Sequence, residues 1–185
     1  KAIEVGLNPN FSIVDESSTK VLYRRLLENA HEYTELFRKW MLKQEDYDEG
    51  KALGKTEYGR IAGTLSLLVN NAHPTNLLDG NFSEDVYARL RNQDFNFAQL
   101  NRKESRAVVD ALYHVFNESI QHSRETNVIT YDMILFVSYL MAQDGLLDTF
   151  KQTIIHTIVD EFQDSNYLQD AWVRAIAGTR LTLIG

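Results

Sequence analysis

The run Ile154-Ile155-His156-Thr157-Ile158-Val159 ends abruptly in Asp160-Glu161, and no other junction constrains the fold of this chain as much. A short apolar-rich run bounded by acids reads as a strand buried in a parallel sheet. After Phe162-Gln163-Asp164 the pattern becomes helical: Leu168, Trp172, Ala175 and Ile176 share one face at 3.6-residue spacing. Ser165 or Asn166 can cap the start of that helix, and Gly178 can close its end. Leu181-Thr182-Leu183-Ile184 then reads as a second strand. Strand, acidic turn, helix and strand make a βαβ unit, whose two strands must run parallel. Ligands of parallel α/β sheets collect at the carboxyl edge of the strands, where Asp160, Glu161 and Gln163 stand. Neighbouring carboxylates at such an edge suit phosphoryl transfer. One holds Mg²⁺, usually through water, and the other orients or deprotonates the attacking water. Taken as acids alone, they read more simply as a solvated turn.

The rest of the chain is mainly helical. From Thr19 to about Leu42, apolar residues recur as Leu22, Leu26, Ala30, Tyr33, Phe37, Trp40 and Met41, in one long helix or two. Lys43 to Lys55 reads as a charged loop. Ile61, Leu65, Leu68 and Ala72 form the next stripe, ended near His73-Pro74. Asn76 to Asn81 reads as a loop with Asp79-Gly80 as its turn, and a short helix is expected around Glu84 to Arg91. Asp94 to Asn101 is ambiguous. Val108, Leu112, Val115, Phe116 and Ser119 mark a stronger helix, and Tyr131 to Gln143 another, closed by Asp144-Gly145. Phe11 to Val14, Ile154 to Val159 and Leu181 to Ile184 are expected as strands of one incomplete, largely parallel sheet. Their lying in separate sheets, or as helix, would defeat the motor-domain assignment.

Composition narrows the function classes. The chain of 185 residues has no Cys, which removes disulfides, thiol nucleophiles and Cys-based zinc sites. No apolar run approaches the roughly 20 residues that span a bilayer, and a cytoplasmic protein with no membrane partner is expected. A net charge of −7 argues against a strong electrostatic grip on nucleic acid by this segment alone. Gly50-Lys51-Ala52-Leu53-Gly54-Lys55-Thr56 ends like a phosphate-binding loop. Three residues separate its glycines where that pattern has four, and the charged run Lys43 to Glu49 stands where a strand should precede it. His31, His73, His114, His122 and His156 show no ligand spacing, and His156 reads as a packed strand residue. Arg24-Arg25, Arg38-Lys39 and Arg102-Lys103 with Arg106 are explained as well by helix-surface solvation as by phosphate contact.

Asp160-Glu161-Phe162-Gln163-Asp164, with Gln169 and Trp172 following, resembles motif II of the UvrD/Rep-like superfamily 1 DNA helicases. Gly178-Thr179-Arg180-Leu181-Thr182-Leu183-Ile184-Gly185 is similar to the approach to motif III of that family. Gly6 to Glu16 resembles the segment leading from the first RecA-like domain into an inserted helical subdomain. Ile129-Thr130-Tyr131-Asp132-Met133-Ile134-Leu135 resembles a segment usually written Leu-Asp-Phe-Asp-Asp-Leu-Leu, with Thr130 and Met133 standing where that segment has acids. Glu32 to Glu125 carries no matching motif. The resemblance implies a mainly α chain: a helical subdomain, residues 16–152, flanked by strands of an incomplete parallel RecA-like α/β sheet, residues 1–15 and 153–185. It implies Mg²⁺ at Asp160, a water-activating base at Glu161, γ-phosphate sensing by Gln163, and a structural Asp164. ATP would be the substrate of the parent, and single-stranded or partly duplex DNA its partner. The family's phosphate-binding loop lies upstream of Lys1, so the chain is expected to hold one half of an ATP site and to be inactive alone. Other classes stay open: a helical protein-interaction module with a vestigial acidic motif, a metal-dependent phosphohydrolase or nuclease, or the helicase part of an AddA/RecB-type helicase-nuclease.

Overall fold

The computed structural model describes residues 10–43, 52–80, 82–83, 86–88, 90 and 100–185. Strand β1 (Ser12–Val14) runs parallel to β2 (Val128–Thr130), in the register Ser12 to Val128 and Val14 to Thr130. Each strand passes at once into a helix through a side-chain cap. Asp15 Oδ1 accepts from the Ser18 N–H at 2.8 Å and starts α1 (Glu16–Asn29). Thr130 Oγ1 accepts from the Met133 N–H at 3.2 Å and starts α6 (Tyr131–Gln143). Thr130 thus does by hydroxyl what an acid would do at that position. Met133 is buried, with its sulfur 3.1 Å from the Ser123 hydroxyl, a setting that would desolvate a carboxylate.

Between them the chain folds into a helical body. Helix α1 breaks at Ala30, where ψ is 64°, and a 3₁₀ turn (His31–Tyr33) leads into α2 (Thr34–Met41), so two helices stand where periodicity allowed one or two. Then come α3 (Lys55–Asn71), α4 (Pro74–Asp79) and α5 (Arg102–Thr126). Past α6 lie α7 (Asp148–Thr153), β3 (His156–Val159), a 3₁₀ turn (Phe162–Asp164), α8 (Tyr167–Ile176) and β4 (Arg180–Leu183). One apolar cluster joins Tyr23 and Leu27 of α1, Ile61 and Leu65 of α3, Leu112 and Phe116 of α5, and Phe136 of α6. Each such side chain contributes about 1.5–3 kcal/mol on burial. Leu168 of α8 belongs to the same cluster, so α8 is packed onto the helical body through α3 and α6.

The expected mainly α chain with an incomplete parallel sheet is the observed architecture, with corrections. The three expected strands do not share one sheet: β1 pairs with β2, β3 pairs with β4, and among the described residues nothing bridges the pairs, so the one-sheet test of a motor domain fails there. Strand β2 was not foreseen. The β3 segment is not buried, since Ile155 and Ile158 are 76% and 62% exposed, and among the described residues it has a single neighbouring strand. His156 is exposed rather than packed, its Nε2 2.8 Å from the Thr182 hydroxyl. Asn76 to Asp79 is helical rather than loop, because Pro74 opens α4 and Gly80, at φ 69°, closes it. Helix α7 also escaped the periodicity. The expected starts at Gly6 and Gly50, the whole of Lys43 to Glu49 beyond Lys43, most of Glu84 to Arg91, and Asp94 to Gln99 lie outside the described residues.

Candidate site at the carboxyl edge of the second strand pair

Strands β3 and β4 are parallel, with His156 opposite Arg180 and Val159 opposite Leu183. Beyond the ladder the chain past β4 closes onto the acidic turn. The Ile184 N–H donates to the Val159 carbonyl at 2.9 Å, and the Phe162 N–H donates to the Ile184 carbonyl at 2.8 Å. Gly185 then lies against Gln163, where a Cβ would stand 1.8 Å from Gln163 Oε1. Both strands therefore deliver their carboxyl ends to one place, where Asp160, Glu161 and Gln163 are all exposed.

The turn is held by its own backbone. Glu161 adopts φ 51° and ψ 39°, and Asp164 N–H donates to the Glu161 carbonyl at 3.0 Å. Asp160 Oδ1 accepts from the Glu161 N–H at 3.0 Å, and the residue is exposed. The Gln163 side-chain amide donates to Glu161 Oε2, which joins the two side chains. The three sequence-derived site residues are thus brought together on one turn. Asp164 is exposed and makes no ion pair among the described residues.

The turn is fixed to its helix by Asn166. Its Oδ1 accepts from the Gln169 N–H, and Gln169 Oε1 accepts from the Asn166 N–H, both at 2.9 Å. At the far end, Lys151 Nζ donates to the Ala175 carbonyl at 2.9 Å. Of two further residues here, Asn70 carried no sequence signal, and Gly178 was expected to close α8, whose C-cap is instead Ala177. Asn70 of α3 accepts from Asn166 Nδ2 at 2.8 Å, tying the helical body to the turn. Gly178 passes so close to Ile154 that a Cβ would lie 1.9 Å from its carbonyl oxygen.

The donor set fits a magnesium ion held mostly by water and phosphate: one exposed carboxylate, Asp160, rather than a cage. Among the described residues no three His, Asp or Glu side chains converge as a metal cage would need. The Gly54-Lys55-Thr56 segment does not offer a phosphate cradle. Gly54 precedes α3, but its N–H donates to Glu57 Oε2 at 2.9 Å, and Glu57 is buried there. A carboxylate already occupies the position an anion would take at that helix start. The basic clusters are partly self-satisfied: Arg24 lies 3.5 Å from Glu28, and Arg38 and Lys39 lie 3.1 and 3.9 Å from Glu35. No helix among the described residues is long and apolar enough to cross a membrane.

The family model described as UvrD/REP helicase N-terminal domain matches residues 1–185. No curated protein and no solved structure matches the chain.

Proposed function

The chain belongs to the UvrD/REP helicase family, and on that premise we propose that it forms part of an ATP-driven motor that moves on single-stranded DNA and unwinds duplex. Its proposed setting is cytoplasmic. In this reading, which rests on the family and the acidic turn because the two strand pairs do not join in one sheet among the described residues, residues 1–15 and 153–185 belong to the first RecA-like domain, and residues 16–152 form its inserted helical subdomain. The observation that carries it is the acidic turn at the common carboxyl edge of β3 and β4. Bound Mg²⁺ would supply charge neutralisation at the β- and γ-phosphates of ATP. Asp160 would hold that ion with its exposed carboxylate. Glu161 takes the proton of the attacking water on its carboxylate, which Gln163 steadies. Gln163, joined to Glu161 and lying against Gly185, also senses the γ-phosphate and reports its loss to the strand edge. The partner is single-stranded or partly duplex DNA.

The test is steady-state ATPase and nucleotide affinity of the parent enzyme with single-stranded DNA present. Glu161→Gln keeps the size and the hydrogen-bonding reach of the side chain but cannot accept the proton. Nucleotide binding should stay near the parent value and turnover should fall by roughly 10²–10⁴-fold. Asp160→Asn should weaken Mg²⁺-dependent nucleotide binding as well as turnover, because a charge facing the cation is lost. Both variants should stop unwinding. Hydrolysis at the parent rate in Glu161→Gln would return the acids to a solvated turn.

A further inference from the structure

The acidic turn is tied to the helical body by a side-chain relay whose polarity is fixed. Asn70 Nδ2 donates to the Ser66 carbonyl of α3 at 2.9 Å. That bond can be made by the amide nitrogen but not by the amide oxygen, so Asn70 Oδ1 must face the other way. There it accepts from Asn166 Nδ2 at 2.8 Å, which in turn aims Asn166 Oδ1 at the Gln169 N–H. Neither amide can flip without losing a bond on each side. Both groups are part-buried, where such bonds are strengthened, and they border a cavity of about 300 Å³ lined also by Thr19, Ser66, Tyr131 and Asp132. The relay starts on the body and ends on the residue that caps α8 directly behind the acidic turn.

We propose that Asn70 is a positioning residue for ATP hydrolysis: through Asn166 it sets the acidic turn according to the position of the helical body, and so couples that body to turnover. This rests on the proposed motor reading. Asn70 touches neither nucleotide nor DNA in this role; it acts on Glu161 and Gln163 through the start of α8. A movement of α3 relative to β3 must either carry the turn with it or break the relay.

Two variants break the relay differently in the parent enzyme. Asn70→Ala removes the acceptor and leaves the α8 cap intact. Asn166→Asp keeps the cap, because a carboxylate accepts from the Gln169 N–H, but sets an acceptor against Asn70 Oδ1. Each should lower DNA-stimulated kcat by roughly two- to thirty-fold, the range in which non-contacting residues modulate coupling. KM for ATP should not change, and the double variant should fall no further than the worse single one. A capping or folding defect predicts instead that Asn166→Asp is silent or that the losses multiply. Glu161→Gln runs alongside as the control for the motor itself. If it abolishes turnover while both relay variants keep the parent kcat, or lose it additively with a raised KM, the relay inference is overturned and the motor reading stands. If Glu161→Gln retains turnover, the motor reading falls and takes the relay with it.

Discussion

Glu161 sits in the left-handed region at φ 51°, a conformation costing a residue with a side chain about 1–3 kcal/mol. Among the described non-glycine residues it shares a positive φ with Asn127, which closes α5, where Asn is at ease. The strain turns the chain out of β3 and places the carboxylate beside Gln163. Gly178 serves the same junction from the other side. A Cβ there would lie 1.9 Å from the Ile154 carbonyl oxygen and 2.9 Å from Ile154 Cγ2, and a backbone atom cannot swing away as a side chain can. Gly178→Ala should therefore destabilise the chain by about 1–3 kcal/mol, read as a lower urea-unfolding midpoint. An unchanged midpoint would mean that the entry to β3 yields without loss. Sequence showed which acids end the strand, because residue type and neighbours suffice for that. It could not show the turn conformation or the Ile154 contact, which depend on where the crossover helix returns the chain.

Helix starts in this protein rest on carboxylates as well as amides. Asp15 caps α1, and hydrogen bonds from the Ser18 N–H, then from Ser17, hold its pKa below the ordinary 3.8. Glu104 accepts from Lys43 Nζ at 2.6 Å and from the Asn101 N–H at 2.9 Å, which hold its pKa below the ordinary 4.5, the Lys43 bond first. A carboxylate with a lower pKa folded than unfolded adds stability above its unfolded value, and that stability is lost as pH falls through the folded value. Acidification below the ordinary carboxylate range should thus loosen the starts of α1 and α5. Asp15→Asn and Glu104→Gln keep the hydrogen-bonding reach without the charge. The double variant should show a smaller drop in urea midpoint between neutral and acid pH than the parent chain, and an equal drop would place the acid sensitivity elsewhere. The elements legible beforehand were those with several agreeing signals. Helix α6 has a cap at Thr130, an apolar stripe and a stop at Asp144-Gly145, and it was read to its observed bounds. Helices α4 and α7 span six residues each, too few for a period to show, and α7 buries no side chain. Strand β2 is three residues long and means nothing until β1, remote in sequence, lies beside it.

At the scale of the molecule, the helical body and the β3–α8–β4 unit share a core through Leu168, yet the strand pair leaves Ile155, Ile158 and Ile184 exposed. Parallel strands are normally covered on both faces, so this pair is the incomplete part of the architecture, and the acidic turn stands on it. The turn offers a metal-holding carboxylate and a base, but phosphoryl transfer also needs donors wrapped around the phosphates. Among the described residues the nearest candidate is the start of α3, and Glu57 occupies it. An approaching triphosphate would have to displace a buried carboxylate and then bear its charge. The isolated 185-residue chain should accordingly show no Mg²⁺-dependent ATP turnover, measured as phosphate release with and without single-stranded DNA. Glu57→Gln removes the competing charge without emptying the site, and it should not create turnover either, because Asn166 behind the acidic turn bonds Asn70 near the far end of α3, roughly 20 Å along the helix from its start. Turnover by the isolated chain that Glu161→Gln abolishes would overturn this half-site reading. A further loss in Lys55→Ala would then locate the phosphate cradle at the start of α3.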